Sequence, residues 1–415
     1  NHNYIFTSNV DLREVANNAY VTPKQKVSSK IDGNNFHLGY INIQKGLMIN
    51  EDYYSGLFSV FGGELLNITI NKALVDLQSC CPAPKLNCHT GLIAGTLENA
   101  KVENVKIDAS VSLGTKSPGS MNLGIIAGDG YGLIKDTYIN GDLTANTITD
   151  STDLTSISYA IGGVIGRSTM NQKLTLNRVL YVGDIKGPTS NHTEAIQNLT
   201  VYLGGVIGHT FNTIVKDDYY KIMNAGVIKL EELNANNLTY YTGGVVGYSE
   251  GRAYTLSDNN RNWYHRGTFI NNIANINTTT KKVYVSGVVN ANHIEKTEFI
   301  GLLNEHLEIE YESQTYLRML IDKTYKNSDL VFTPLINSLS TYGITVSQSI
   351  NKGNQEFDYF VSSSGIIRTS GPSLLRFVEN QGNVLFDGFS HDSKMVVSGI
   401  TPSENVDYLN VINSG

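Results

Sequence analysis

A five-residue apolar phrase bracketed by glycine recurs along this chain of 415 residues. It reads GLIAG at Gly91–Gly95, GIIAG at Gly124–Gly128 and GGVIG at Gly162–Gly166, then GGVIG at Gly204–Gly208 and GGVVG at Gly243–Gly247. Weaker copies stand at Gly56, Gly287, Gly365 and Gly399. From Gly91 to Gly287 the intervals are 33 to 44 residues; the next, to Gly365, is 78, close to two intervals, so one copy has decayed there. A period of this size means one supersecondary unit per repeat, stacked on its neighbours. It points to an extended surface rather than a single buried cleft.

A second phrase follows each glycine phrase after a polar turn. It begins NITINKAL at Asn67, NVKIDASV at Asn104, DTYINGDL at Asp136, NRVLYVGDI at Asn177, YKIMNAGVI at Tyr220 and NWYHRGTFI at Asn262. Its period-2 alternation puts Ile68 and Ile70, Val105 and Ile107, and Val179 and Tyr181 on one face of a strand. Each repeat thus reads as two or three short strands joined by polar corners, too little to bury both faces alone. Parallel stacking lets successive repeats pair and fill an interior with aliphatic side chains. The expected fold is all-β, a parallel β-helix or solenoid of about ten coils. The phrase glycines supply either a positive-φ corner or a close approach of backbone layers. None has the strand–GxGxxG–helix context of a phosphate loop.

Four regions follow: residues 1–50 as an N-terminal cap and lead-in strand, 51–300 as regular repeats, 301–345 as an irregular insertion or degenerate coil, and 346–415 as C-terminal coils ending mid-repeat. Ser8-Asn9-Val10-Asp11 has a capping pattern ahead of Leu12, Val15 and Ala16, which predicts a short helix ending near Asn17-Asn18 and covering the first coil. At the other end DYLNVINSG, Asp407 to Gly415, reads as a second phrase. Its Tyr408, Leu409, Val411 and Ile412 form a possible assembly strand, ready to template another.

Charged residues make up 17% of the chain, against a usual ~25%, and the net charge of −7 is mild. With no basic stripe, nucleic acid is not an expected partner, and no apolar run is long enough for a membrane span. The chain starts at Asn1 rather than Met, which suits a cleaved secretory leader or a trimmed fragment. Cys80, Cys81 and Cys88 crowd into QSCCPAPKLNC; a disulfide from Cys80 or Cys81 to Cys88 suits an oxidising compartment, with free thiols or a metal site that would add His89 as alternatives. Glycosylation candidates are Asn67, Asn191, Asn198, Asn237 and Asn277, of which Asn67 lies inside a strand pattern.

The GGVIG and GGVVG phrases, the lead-in KIDGNNFHLGYINI before YYSGLFSVFGGELLNITI, and the preceding FTSNVDLREVANN resemble GLUG-type repeats of bacterial and protist surface proteins. The resemblance covers roughly residues 4 to 290. It implies a right-handed parallel β-helix, an extracellular or cell-surface location and an adhesive or structural role, and brings no catalytic residues.

No GxSxG elbow, P-loop or HExxH occurs, and no catalytic, metal or cofactor residues are assigned. A carbohydrate-active β-helix would need converging carboxylates. Asp136 with Asp142, Asp217 with Asp218, and Glu231 with Glu232 are available, but adjacent strand residues face opposite ways. Three Tyr doublets, Tyr53-Tyr54, Tyr219-Tyr220 and Tyr240-Tyr241, each send one ring in and one out, and exposed Tyr stripes suit sugars or protein contacts. The function expected is an extracellular structural or adhesive protein that self-associates head to tail, which makes filaments. The alternatives are a carbohydrate-binding or polysaccharide-degrading β-helix and a passenger fragment of a larger adhesin.

Overall fold

The computed structural model describes residues 2–13, 20–77, 87–114, 119–148, 156–190, 196–252, 261–271, 280–305, 309–310, 329–353, 355–357, 363–364, 367–386, 396–397, 400–401 and 405–414. The described elements are strands, most of them in one sheet of 28 strands and another of 11. Three ladders carry the architecture. Taking one repeat as an example, Ile196–Gly204 runs into the glycine phrase, Ile207–Asn212 leaves it, and Asp218–Asn224 carries the second phrase. Each pairs in parallel with its counterpart one repeat later: Ala235–Gly243, Val246–Gly251 and Arg261–His265. In the 11-stranded sheet, which is the first ladder, every pairing is parallel except that of Leu47–Ile49 with Asp52–Ser55.

The alternation read from the second phrase is the alternation of burial. Ile68, Ile70, Val105, Ile107, Val179 and Tyr181 are all buried, and they belong to one continuous aliphatic core. The decayed glycine copy is present as Thr333-Pro334-Leu335-Ile336. Gly287 N donates to Thr333 O at 2.8 Å and Val288 N to Leu335 O at 3.2 Å. Parallel pairing also spans the irregular region, because Thr297–Asn304 pairs with Ile344–Asn351; residues 306–308 and 311–328 lie outside the described residues.

Close approach, rather than a positive-φ corner, explains the phrase glycines. A Cβ added at Gly91 would stand 2.5 Å from Ala127 Cα, and one at Gly247 would stand 2.5 Å from Gly208 O and 2.7 Å from Leu203 N. No side chain fits between backbones stacked so tightly. The left-handed corner lies elsewhere, at the entrance to the second phrase: Asn67, Asn104, Asp136, Arg178, Lys221, Asn262, Gly301, Gln348, Phe377 and Asn410 all have φ between 49° and 68°. Side chains offset part of the cost of αL geometry by bonding from repeat to repeat. Asn67 Nδ2 donates to Asp32 Oδ1 at 3.1 Å, Asn104 Nδ2 to Asn67 Oδ1 at 2.9 Å, and Arg178 Nη2 to Asp136 Oδ2 at 2.6 Å.

One interior column changes chemistry along the stack. In consecutive registered positions it runs Ile70, Ile107, Ile139, Tyr181, Asn224, His265, Asn304, Asn351, Asn380 and Asn413. The asparagines form an amide ladder: Asn304 Nδ2 donates to Asn351 Oδ1 at 2.9 Å, Asn351 Nδ2 to Asn380 Oδ1 at 2.8 Å, and Asn380 Nδ2 to Asn413 Oδ1 at 2.8 Å. Asn351 also bonds Gly353 through both its N–H and its carbonyl, and Asn380 Nδ2 donates to Gly382 O at 3.1 Å, so these two amides both close their own turns and join their neighbours.

No helix stands among the described elements, so the N-terminal capping helix expected over Ser8–Asn18 is not shown. The residues read as its cap belong to the sheet instead. Val10 and Asp11 pair in parallel with Leu38 and Gly39, and Asn9 Oδ1 accepts the His37 N–H at 2.9 Å. Backbone pairing and that side-chain bond hold this segment extended, while the Asp11 carboxylate takes the Arg13 N–H and guanidinium. Residues 14–19 of the expected helix lie outside the described residues.

Candidate functional site

The densest grouping of ionisable and aromatic side chains lies along the outer seam where the first and second ladders meet. On the first ladder the seam column is Tyr54, His89, Asn122, Ala160, Tyr202, Tyr241 and Tyr284. On the second it is Thr96, Asp129, Arg167, His209, Tyr248, Asn290 and Asn337. The tight glycine arch brings the two columns together. Tyr202 and His209 stack at 4.1 Å and Tyr241 and Tyr248 at 4.2 Å between ring centroids. Along the first ladder Tyr202, Tyr241 and Tyr284 follow at 5.7 and 5.1 Å, and Tyr54 stacks on His89 at 5.1 Å. Offset-stacked rings at such spacing attract one another beyond their area burial.

Charged groups sit among the rings. Arg167 donates to Asp129 Oδ2 through Nε at 2.9 Å, and Thr169 Oγ1 donates to Asp129 Oδ1 at 2.5 Å. His209 Nε2 lies 2.9 Å from Glu250 Oε1. Burial depresses the pKa of His209 even though Glu250 favours its charged form, and burial likewise depresses that of His89. Both imidazoles are therefore neutral at neutral pH. Burial also raises the phenols of Tyr54 and Tyr241 to about 12. The seam is a set of neutral rings stacked on each other, with two ion-pairing groups between them. Its chemistry is cohesive: the ring faces are spent on partners within the chain.

The Tyr doublets divide between the two faces as expected: Tyr53, Tyr219 and Tyr240 are buried, while Tyr54, Tyr220 and Tyr241 are partly exposed. The candidate carboxylates are not brought together as a catalytic pair. Asp136 bonds Arg178, Asp142 accepts the Asp184 N–H at 2.9 Å, and Glu231 lies 3.6 Å from Lys186. Asp217 is buried and accepts Leu174 N–H at 2.9 Å and Tyr219 O–H at 2.8 Å, while Asp218 pairs with Lys173 on the outside. Burial pushes the Asp217 carboxyl up to about 7.

Cys88 is buried in the first ladder; Cys80 and Cys81 lie outside the described residues, as do Asn191 and Asn277. Asn67 occupies the left-handed corner with its amide engaged on both sides. Asn198 and Asn237 are exposed on adjacent registered strands, with Asn237 Nδ2 donating to Asn198 Oδ1 at 3.0 Å. The possible assembly strand pairs as a second phrase should: Val406–Leu409 aligns with Ser373–Arg376, and Ile412 with Glu379. Tyr408, Leu409 and Ile412 are about half exposed and Val411 packs partly against the core. Among the described residues no three His, Cys, Asp or Glu side chains converge as a metal site needs, and no helix is long and apolar enough to cross a membrane.

Asp129, Arg167, His209 and Glu250 are absent from the candidates drawn from sequence. A signal existed: the seam column of the second ladder is the residue immediately after each full phrase, Thr96, Asp129, Arg167, His209 and Tyr248, and that of the first ladder stands two residues before it. Aligning repeats on the glycines exposes both columns. No protein-family model, curated protein or solved structure matches this chain.

Proposed function

We propose that this chain is an extracellular β-solenoid with a structural or adhesive role, of the kind the GLUG-type resemblance implies, presented as a rod at the cell surface. The observation that carries the reading is the repeat-to-repeat parallel registry, in which like stacks on like from Asp52–Ser55 to Val396–Val397 in the first ladder. Closed coils advancing ~4.8 Å each make a rod roughly 45 Å long over that span. A self-stapled outer seam and an amide ladder inside suit a body that must resist bending rather than open around a substrate. The low share of charge and the polar turns are consistent with an extracellular site. A disulfide between Cys88 and Cys80 or Cys81 belongs to the same reading, as does glycan at Asn198 or Asn237. Self-association is part of the same reading.

A crystal structure of the purified chain tests the solenoid, and strands that do not close into successive coils would sink it. Surface labelling of the producing cells tests the location: protein labelled only after lysis rejects an extracellular role. Binding of the immobilised chain to matrix proteins and to a glycan panel separates adhesion from a purely structural role.

A further inference from the structure

The outward face of the third ladder carries a column unlike the rest of the surface. In register it reads Lys106, Tyr138, Leu180, Met223, Tyr264, Leu303, Ile350 and Glu379. Six consecutive apolar side chains alternate along their strands with the buried residues Val179, Ile222, Trp263 and Leu302, so they point away from the core. Tyr138 is 40% exposed and the other five are partly exposed. Ion pairs rim the column on both sides: Arg178 with Asp136, Lys229 with Asp184, and Arg266 with Glu305. An apolar strip with a self-neutralised polar rim is the pattern of a protein interface. The paired rim and net charge of −7 give an anionic lipid surface nothing to attract.

We propose that this face joins two copies of the chain, packed face to face and antiparallel about a two-fold axis between Met223 and Tyr264. The column is self-complementary under that operation. Met223 meets Tyr264, Leu180 meets Leu303, Tyr138 meets Ile350, and Lys106 meets Glu379 at both ends. A parallel arrangement would set Lys106 on Lys106 and Glu379 on Glu379. Equal strand spacing in both copies keeps every side chain in step. Seven steps of ~4.8 Å give a strip roughly 34 Å long; covering the ~800 Å² per partner of a stable interface takes a width of about 24 Å, the column plus its rim. The proposal is independent of the solenoid's proposed role and of the edge at Val406–Leu409, because it uses only the registered third ladder.

Sedimentation velocity of the whole chain from about 1 to about 200 µM, with scattering to fix the shape, tests it. A concentration-dependent dimer with side-by-side dimensions is expected. Leu180→Lys with Met223→Lys should weaken it by roughly tenfold or more, with unchanged circular dichroism because both side chains face outward. Lys106→Glu and Glu379→Lys should each weaken it, and the two together in one chain should restore it. A wild-type chain that stays monomeric throughout, a dimer indifferent to the lysine pair, or a double charge swap that fails to rescue overturns the proposal.

Discussion

The interior column is aliphatic in one half of the stack and polar in the other, at the same registered position. Ile70, Ile107 and Ile139 fill it early; Asn224, Asn304, Asn351 and Asn380 fill it late, with Tyr181 and His265 among them. The Cβ of the second phrase residue shows how volume is conserved. Where the phrase is GLIAG or GIIAG, buried Leu92 and Ile125 supply bulk. Where it is GG, a Cβ at Gly205 would strike Asn224, and one at Gly244 would strike His265. The halves differ in what they demand. Apolar packing needs volume and tolerates small changes; an amide ladder needs every donor and acceptor matched, and so fixes the register of each strand.

The largest expected effect comes from mixing the two chemistries. Ile107→Asn puts a lone amide between Ile70 and Ile139, and should cost about 4 kcal/mol or more. Urea unfolding should show the loss, and hydrogen exchange should place it in residues 64–77 and 127–144. A cost below about 1 kcal/mol would mean the early half is not a dry core. Asn351→Leu, the converse, strands the amides of Asn304 and Asn380 and the Gly353 N–H. It should cost about 3 kcal/mol and raise exchange in 297–304 and 373–380. Equal tolerance of Leu in both halves would erase the distinction.

The late half should also carry most of the pH dependence. Asp217 has a folded pKa raised to about 7 by burial, so its stabilising contribution is full below the ordinary carboxylate range and is lost as pH rises through about 7. His293, bonded to Ser249 and Thr297 and lowered to about 4 by burial, acts oppositely: stability is lost as pH falls from 6.5 toward 4. The two slopes oppose each other in the native chain. Asp217→Asn should add on the order of 1–3 kcal/mol at pH 7.5, change little at pH 3.5, and leave a steeper loss on acidification. A denaturation series across that pH range checks all three. The smallest effect is Ile107→Val, about 1 kcal/mol, without change at the amide ladder.

Much of the architecture was legible because a repeat writes its period into the chain. Glycine spacing gave the unit and period-2 alternation gave the buried face; the weak copies at Gly365 and Gly399 lie outside the described residues. Even the decayed copy was placed by its interval, although Pro334 stands where a glycine would. At the N-terminus the local capping pattern at Ser8–Asp11 did not reveal the long-range pairing of Val10 and Asp11 with Leu38 and Gly39, because pairing partners leave no local trace.

The sequence by itself determined that strands of this chain repeat and which faces they bury; that the glycine phrases are close backbone contacts rather than positive-φ corners came from the tertiary structure. Only the tertiary structure decided which residues share a column beyond the polar turns that follow each glycine phrase. The corner residues run from Asn67 and Asp136 through Arg178 and Lys221 to Phe377, with no common side-chain type to find. The asparagines of the ladder are spaced unevenly, because loops of different length separate them. A hydrogen bond depends on distance in space, and parallel pairing sets that distance after loop length has been absorbed. The aromatic seam stands at fixed offsets from the glycine phrases, but the amide ladder and the apolar outer column follow from registry across loops of unequal length, which one chain's linear order does not display.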